Sequence, residues 1–383
     1  MNNKEKIIVY SIIGFCINLS YIAGNLFISN FSEFLGASKS FIGIINAVLP
    51  LFSMISAPLF ARRAARIRKK LPIIRIGFII GVIFSTLLFF SNDKYILFIL
   101  RMGMGISFGA TTALTNSLAT EIDINKRGKY FGIYSGVCSF GWAIGAIFVG
   151  VIISQKYNNS FLLSISFLVI GFMTTFLAKE KYTSSEYYGI DFETLKKFFP
   201  FYRILFLRHL VATGLWAFLP VYLEYTLGFE RFTIGLIYFI NNSLQLLTMI
   251  LAGHLSDKIR KKYIIFSGLI GSFIFMFIFT IILEPIEFMF LQVLVAFSWA
   301  LLYLGISSLV ASSSSWNERG EAMAGLSMTL NLSNILGPII GGIIYGLSDF
   351  STMIYLMLPL CLVAIISSIF LKEKEHNSQN IYK

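Results

Sequence analysis

The residues from Ile7 to Phe31, IIVYSIIGFCINLSYIAGNLFISNF, contain no Asp, Glu, Lys or Arg. About 20 apolar residues suffice to cross a hydrocarbon core of about 30 Å as a helix. Runs of this kind recur to the end of the chain, separated by short polar stretches. The first six candidate spans are about 7–31, 41–61, 72–91, 95–118, 130–154 and 160–179. The second six are about 202–226, 233–253, 263–283, 286–311, 321–346 and 351–371. Lipid forces each span to satisfy its own backbone hydrogen bonds, so an open sheet is excluded. A membrane barrel would show roughly ten-residue segments of alternating polarity, and none is apparent. The chain reads as an all-α polytopic membrane protein.

Composition closes the soluble alternative, because with 56% apolar and 13% charged residues no water-facing exterior could be covered. The N-terminal MNNKEK followed by an apolar run resembles a signal peptide, but no small-residue cleavage site follows, so a retained first span is expected. Cys16, Cys138 and Cys361 are scattered through apolar segments without paired spacing. Neither a disulfide framework nor a metal site is expected from them.

The two halves repeat. GHLSDKIRKK at 253–262 corresponds to ARRAARIRKK at 61–70, with an offset of 192 residues and identical last four letters. The same offset carries Ile42-Gly43 onto Ile234-Gly235, Arg127-Gly128 onto Arg319-Gly320, and Ser135, Gly145 and Gly150 onto Ser327, Gly337 and Gly342. Two six-helix units in parallel orientation follow, since an even number of spans returns the chain to its starting side. Such parallel repeats are a transporter architecture. The expected division is 1–179 for the first bundle, 180–200 for a linker, 201–371 for the second bundle and 372–383 for a tail. Within the linker, DFETLKKFF offers Asp191 as an N-cap and Leu195, Phe198, Phe199 and Tyr202 on one face. That pattern suits a short helix on the membrane surface; an unstructured connector is the alternative.

The net charge of +12 sits in the short loops, where it marks topology and anionic headgroups rather than nucleic acid. If the chain begins in the cytoplasm, 26 of its 31 Lys and Arg residues fall on that side, counting Arg208 with the linker. Both termini are therefore expected in the cytoplasm of a cell membrane.

On these residues the chain resembles the major facilitator superfamily over nearly its whole length. The family's signature loop, Gly-x-x-x-Asp-(Arg/Lys)-x-Gly-Arg-(Arg/Lys), is similar to Gly253, Asp257, Lys258, Lys261 and Lys262, with Arg260 replacing the second glycine. LRMGMGISFGA carries an intramembrane Arg101 followed by Gly105 and Gly109, similar to the family's fourth span. LGPIIGG in the eleventh span is similar to the Gly-Pro-rich pattern that the family's antiporters place in the fifth, where this chain has FGWAIGA without proline. The resemblance implies that Asp257 helps to hold a cytoplasmic gate shut against the start of the fifth span, with Arg127 as its partner. Gly253, Asp257, Lys258, Arg127 and Arg319 are the gate candidates. The first-half copy has Ala61 and Ala65 where the glycine and aspartate should stand, so an asymmetric gate is expected. The family's cavity is lined by the first, fourth, seventh and tenth spans, assisted by the second, fifth, eighth and eleventh.

On those spans Asn18, Tyr21, Asn25, Arg101, Thr112, Asn116, Trp216, Asn242, Gln245, Trp299, Tyr303 and Asn334 are the cavity candidates. Amides and indoles offer hydrogen bonds and stacking surface; helix–helix hydrogen bonding is the alternative role of each amide. Asn46, Trp142, Asn241 and Asn331 belong to the same polar set. Arg101, about 9 Å below the outer end of its span at 1.5 Å per residue, reads as an anion or proton site, or as a snorkelling cation. No Asp or Glu falls mid-membrane. Coupling to a proton or other ion is left to Glu33 and Glu224 at the outer ends of the first and seventh spans and to His209, expected at the interface, or there is none.

No Ser-His-Asp, HExxH or phosphate-loop pattern supports an enzyme, and no cofactor is implied. The expected function is secondary transport of a small organic solute by alternating access, as a monomer, with export of drugs or metabolites first. Uptake of a sugar, nucleoside or organic acid is the alternative, as is a non-transporting sensor, for which the twelve-residue tail is short.

Overall fold

A computed structural model of the protein describes residues 1–123, 126–180, 192–315 and 318–371, with the side chains of 127, 128, 246 and 256–258 left out. The helices in chain order are α1 (Asn3–Asn25), α2 (Ile28–Phe34), α3 (Lys39–Ile67), α4 (Leu71–Phe89), α5 (Lys94–Thr120), α6 (Arg127–Ile152) and α7 (Asn159–Leu177). They continue as α8 (Phe192–Val221), a π-helical turn (Tyr222–Thr226), α9 (Arg231–Lys258), α10 (Lys261–Ile278), α11 (Pro285–Ser313), α12 (Arg319–Leu347) and α13 (Phe350–Ile369). No strand occurs among the described residues. Twelve of these units are long and apolar enough to span a membrane, α1 with α2 and α8 with the π turn each counting once. The twelve expected spans are all present.

Local chemistry sets many of the ends. Asn2 and Glu5 form a reciprocal capping box at the start of α1, and Ser38, Asp93 and Asp349 cap α3, α5 and α13 through their side chains. Such caps satisfy backbone N–H groups that the first turn leaves without partners. Arg68, in the basic turn ARRAARIRKK, adopts a left-handed conformation with φ 54° and stops α3. Pro72 and Pro285 fall in the first turns of α4 and α11, where a missing N–H costs nothing.

The packing is the same in both halves. In the first, α1 lies against α6 and α7, α3 against α5, and α4 against α5 and α7. In the second, α8 lies against α12 and α13, α9 against α11, and α10 against α11 and α13. The outer surface is apolar: Ile79, Leu162, Phe176, Phe290 and Leu356 are exposed, as lipid-facing side chains must be. Inside a bundle, small residues bring backbones together: a Cβ on Gly109 would lie 2.0 Å from Ser56 Oγ and 2.7 Å from the Ser53 carbonyl.

Two expectations change. The short helix expected on the membrane surface is instead the first part of α8, which runs unbroken through Pro200 into the seventh span. Phe198 and Tyr202 are buried in the C-terminal bundle's own cluster with Leu195 against it, while Phe199 stays exposed. The expected domain boundary at 201 therefore falls inside a helix. Because α8 begins at Phe192, Arg208 and His209 lie in its middle rather than at its end. Arg208, counted above with the loop charges, is a buried residue of the span, 3% exposed.

Candidate functional site

The two halves meet through α3 with α12 and α6 with α9. We call the side on which α1 begins the near face and the opposite side the far face. At the far face both contacts close on glycine. A Cβ on Gly43 would sit 2.2 Å from the Pro338 carbonyl oxygen, and one on Gly342 would sit 2.6 Å from the Lys39 carbonyl oxygen and 3.1 Å from Gly43 Cα. A Cβ on Gly235 would sit 2.7 Å from the Ala146 carbonyl oxygen, and one on Gly150 would sit 2.8 Å from the Arg231 carbonyl oxygen. Every pair in the first set maps onto a pair in the second by the 192-residue offset, with the halves exchanged. No side chain larger than hydrogen fits any of these four positions while the far face is shut.

Polar groups rim the same contact. Glu224, in the π turn, accepts from Arg231 Nε at 2.8 Å and Tyr157 Oη at 2.6 Å on one oxygen, and from Asn30 Nδ2 at 2.7 Å on the other. Arg231 lies over the Tyr157 ring at 4.0 Å and donates to the Ile153 carbonyl at 2.6 Å. Asn30 also donates to the Pro220 carbonyl, and Ser29 to that of Ala217. Asn30, Tyr157 and Ile153 belong to the first half, Glu224 and Arg231 to the second. Burial, then the hydrogen bond to Glu224, pushes the Tyr157 phenol well above its ordinary pKa, so it remains a donor. On the related edge, Lys39 pairs with Glu33 at 2.7 Å and lies over the Tyr345 ring at 4.9 Å. Glu33 and Glu224, at the outer ends of their spans, are thus each paired, and neither meets Arg101.

At the near face Gly132 on α6 and Gly320 on α12 are exposed, and a Cβ on either would meet nothing within 4 Å among the described residues. Asp257, Lys258 and Arg127 have side chains outside the described residues, and Arg319 is an exposed residue at the start of α12.

Between the faces lies a cavity of about 190 Å³, lined by both halves. Tyr21, Asn25, Asn46, Arg101 and Trp142 contribute from the first half, and Thr213, Trp216, Tyr238 and Asn334 from the second. Arg101 is 2% exposed and is held by three backbone or amide oxygens. Its Nε donates to the Ile45 carbonyl at 2.8 Å, and its terminal nitrogens to the Gly24 carbonyl at 3.4 Å and Asn25 Oδ1 at 2.9 Å. The Gly24 carbonyl lies just before the interruption between α1 and α2, where helix ends leave acceptors available. Tyr21 packs its ring on Trp142 at 5.1 Å and Phe108 at 4.9 Å, and Trp142 donates to Asn18 Oδ1 at 2.6 Å.

Toward the near face from this cavity lies a second aromatic group. His209 stacks on Trp299 at 5.1 Å, and Trp299 on Tyr303 at 5.2 Å. His209, expected at the interface, is thereby drawn inside the bundle by the early start of α8. Among the remaining candidates, Asn242 bonds back to the Tyr238 carbonyl, and Gln245 donates to Asn241, which donates to the buried Gln292. The chain from Gln245 through Asn241 to Gln292 ties α9 to α11. Thr112 and Asn116 are half-buried on α5, away from the 190 Å³ cavity. Residue reading missed Thr213 and Tyr238 in the lining, Arg208 behind it, and Asn30, Tyr157 and Arg231 at the far contact. Only Arg208 had a signal, as a charge within ILFLRHLVAT.

The profile described as Major Facilitator Superfamily matches residues 10–199 and 201–382. Multidrug resistance protein 2 of Bacillus subtilis (strain 168) is 25% identical over 336 residues, covering 83% of each chain. Multidrug resistance protein MdtG of Escherichia coli (strain K12 / DH10B) is 25% identical over 316 residues, 79% of this chain and 77% of that one. A solved bacterial homologue of the human lysosomal transporter Spinster, in an inward-facing and unoccupied conformation, superposes with a TM-score of 0.82 at 14% identity, over 98% of this chain and 99% of that one. The nucleoside transporter NupG superposes at 0.78 and 15% identity, over 97% and 100%. At these identities the structural likeness shows the fold.

Proposed function

The chain belongs to the Major Facilitator Superfamily, and from that premise we propose that it exports small organic solutes by alternating access. The observation that carries this reading is the cavity at the seam of the two halves, with reciprocal glycine contacts closing the seam at the far face. A solute bound there would be exposed to each side in turn as the halves rock about it. The excess of Lys and Arg in the near-face loops supports a cytoplasmic near face, which would put the closed glycine contacts on the outer side. Export is favoured by the likeness in sequence to two multidrug resistance proteins.

Arg101 then acts as the cation of the cavity, fixed in place by Ile45, Gly24 and Asn25 rather than by an acid. Tyr21, Trp142, Trp216 and Tyr238 supply stacking surface. Glu224 is the carboxylate through which a proton would act, because its charge joins the two halves at the far face; Glu33 and His209 are the lesser candidates. Asp257 with Arg127 would form the opposing near-face latch when the cavity turns outward.

The test is flux into proteoliposomes of the purified protein, over a panel of neutral and charged solutes, with and without an imposed pH gradient. Flux of at least one solute that depends on Arg101 and Trp216 is expected. Saturable binding with no flux of any solute would overturn transport in favour of a sensor.

A further inference from the structure

Two arginines are buried inside the membrane-spanning part, at different depths and without a carboxylate. Arg101 lies at the far end of the cavity, as described. Arg208 is 3% exposed, and its only described hydrogen bond runs from Nε to Ser272 Oγ at 2.9 Å. Its guanidinium lies over the Trp299 ring at 5.1 Å and near the Phe275 ring at 5.7 Å. Every described Asp and Glu lies outside the spans or within the first or last turn of one. Among the described residues the interior therefore holds these two arginine cations and no carboxylate. A buried charge without a counter-charge is costly, and such residues in membrane segments mark sites that a ligand completes.

The second cation is joined to the cavity by Trp299 and His209. On α8, Thr213 and Trp216 line the cavity, and His209 lies one turn before Thr213 on the same face. Asn334 lines the cavity too and lies beside the His209 ring. His209 Nδ1 is buried without a hydrogen-bond partner among the described residues. This region thus presents flat rings, a ring nitrogen with unused capacity and a positive charge just behind the Trp299 indole.

Resting on the transporter reading above, we propose that the solute is an organic anion carrying an aromatic ring. The ring stacks on the Tyr21, Trp142 and Trp299 surfaces, and Arg101 and Arg208 supply the counter-charge at the two ends of its path. Arg208 acts through Trp299 and is a positioning residue; it sets the potential on the wall rather than touching the solute in this conformation.

Three probes of similar shape separate the charge classes: naphthalene-2-sulfonate, its neutral sulfonamide, and the N-methylquinolinium cation. Binding to the purified full chain is followed by quenching of tryptophan fluorescence, and movement by flux into proteoliposomes. The sulfonate should bind about tenfold or more tightly than the sulfonamide, as expected for a charge met at roughly 8 Å in a partly wet cavity. Arg208→Gln should remove most of that ratio and leave the sulfonamide affinity unmoved; Arg208→Lys should keep it. Arg208→Gln loses the charged bond to Ser272 and two ring contacts, so the ratio is compared in variant protein shown to be folded by its melt. If Arg208→Gln does not fold, the wild-type ratio alone still decides the class. Tighter binding or faster flux of N-methylquinolinium than of the sulfonate overturns the anion class and leaves transport standing. A ratio unchanged in folded Arg208→Gln, or no binding of any probe, also overturns it, while the wider flux panel bears on transport itself.

Discussion

Arg231 and Glu224 are joined at 2.8 Å, and each also holds the opposite half, Arg231 through the Ile153 carbonyl and Glu224 through Asn30 and Tyr157. One ion pair in the second half therefore carries four links across the far face, counting the placement of Arg231 over Tyr157.

Glu224→Gln should loosen that face. A hydrogen bond to a charged group contributes about 1.5–3 kcal/mol, so losing one shifts the balance of open and closed forms by roughly tenfold or more. Spin labels at Ser154→Cys and Phe232→Cys, in a background without the three native cysteines, would read it. A larger long-distance population is expected; an unchanged distance distribution would remove Glu224 from the gate.

Gly43→Ala should hold the far face apart, since its methyl group would lie 2.2 Å from the Pro338 carbonyl oxygen. Gly235→Ala should do the same at the related contact. Because either wedge alone blocks closure, the double variant should be no worse than the single ones in flux. Full activity in Gly43→Ala would show that this contact is not part of the cycle.

Arg101→Lys keeps the charge but cannot reach Ile45, Gly24 and Asn25 together, because an ammonium lacks the planar fork of a guanidinium. A loss of about 1.5–3 kcal/mol in stability is expected for each charged hydrogen bond not replaced. The thermal melt should fall clearly. An unaltered melt would mean that the three contacts do not anchor the residue.

Asp257→Asn should reduce flux far more than Ala65→Asp, if the near-face gate is as asymmetric as its two sequences. Initial rates for the two variants, normalised to protein in the membrane, give the comparison. Equal effects would mean that the doubled basic turn carries charge for topology alone.

Lys197 lies 2.8 Å from Glu318, and that bond, with the backbone N–H of Ser315, pulls the Glu318 pKa down to about 2. A depressed carboxyl contributes stability above its unfolded pKa and loses it as pH falls through the folded value. The small difference in melting between wild type and Glu318→Gln should therefore persist at pH 4 and vanish only near pH 2. Loss of the difference already at pH 4 would mean that the contact does not form in solution.

The spans were legible because lipid imposes length and apolarity on each one separately, and the repeat because the offset has no gap. The two irregular places were not. The interruption after Asn25 lies in apolar sequence without a proline at the break, and the π turn at Tyr222–Thr226 follows Pro220 in a stretch that otherwise reads as continuous helix. Glu224 looked like a helix-end charge because its partners, Asn30 and Tyr157, come from 194 and 67 residues away. Arg208 reads as a loop charge because it lies near the expected cytoplasmic end of its span, whereas α8 begins ten residues earlier. Tyr21, Asn25, Arg101, Trp216 and Asn334 could be read as polar or aromatic groups on cavity spans. Their joint position around one space could not.

The exchange of partners at the far face, Gly43 with Gly342 and Gly235 with Gly150, is the pattern of an isologous interface, in which patch i meets j while j meets i. One six-helix unit thus carries both halves of a self-complementary surface. A half-length chain bearing only α1 to α7 would already hold what it needs to build this closure by pairing with a second copy of itself, and the fused protein uses as a moving seam what would there be a dimer contact.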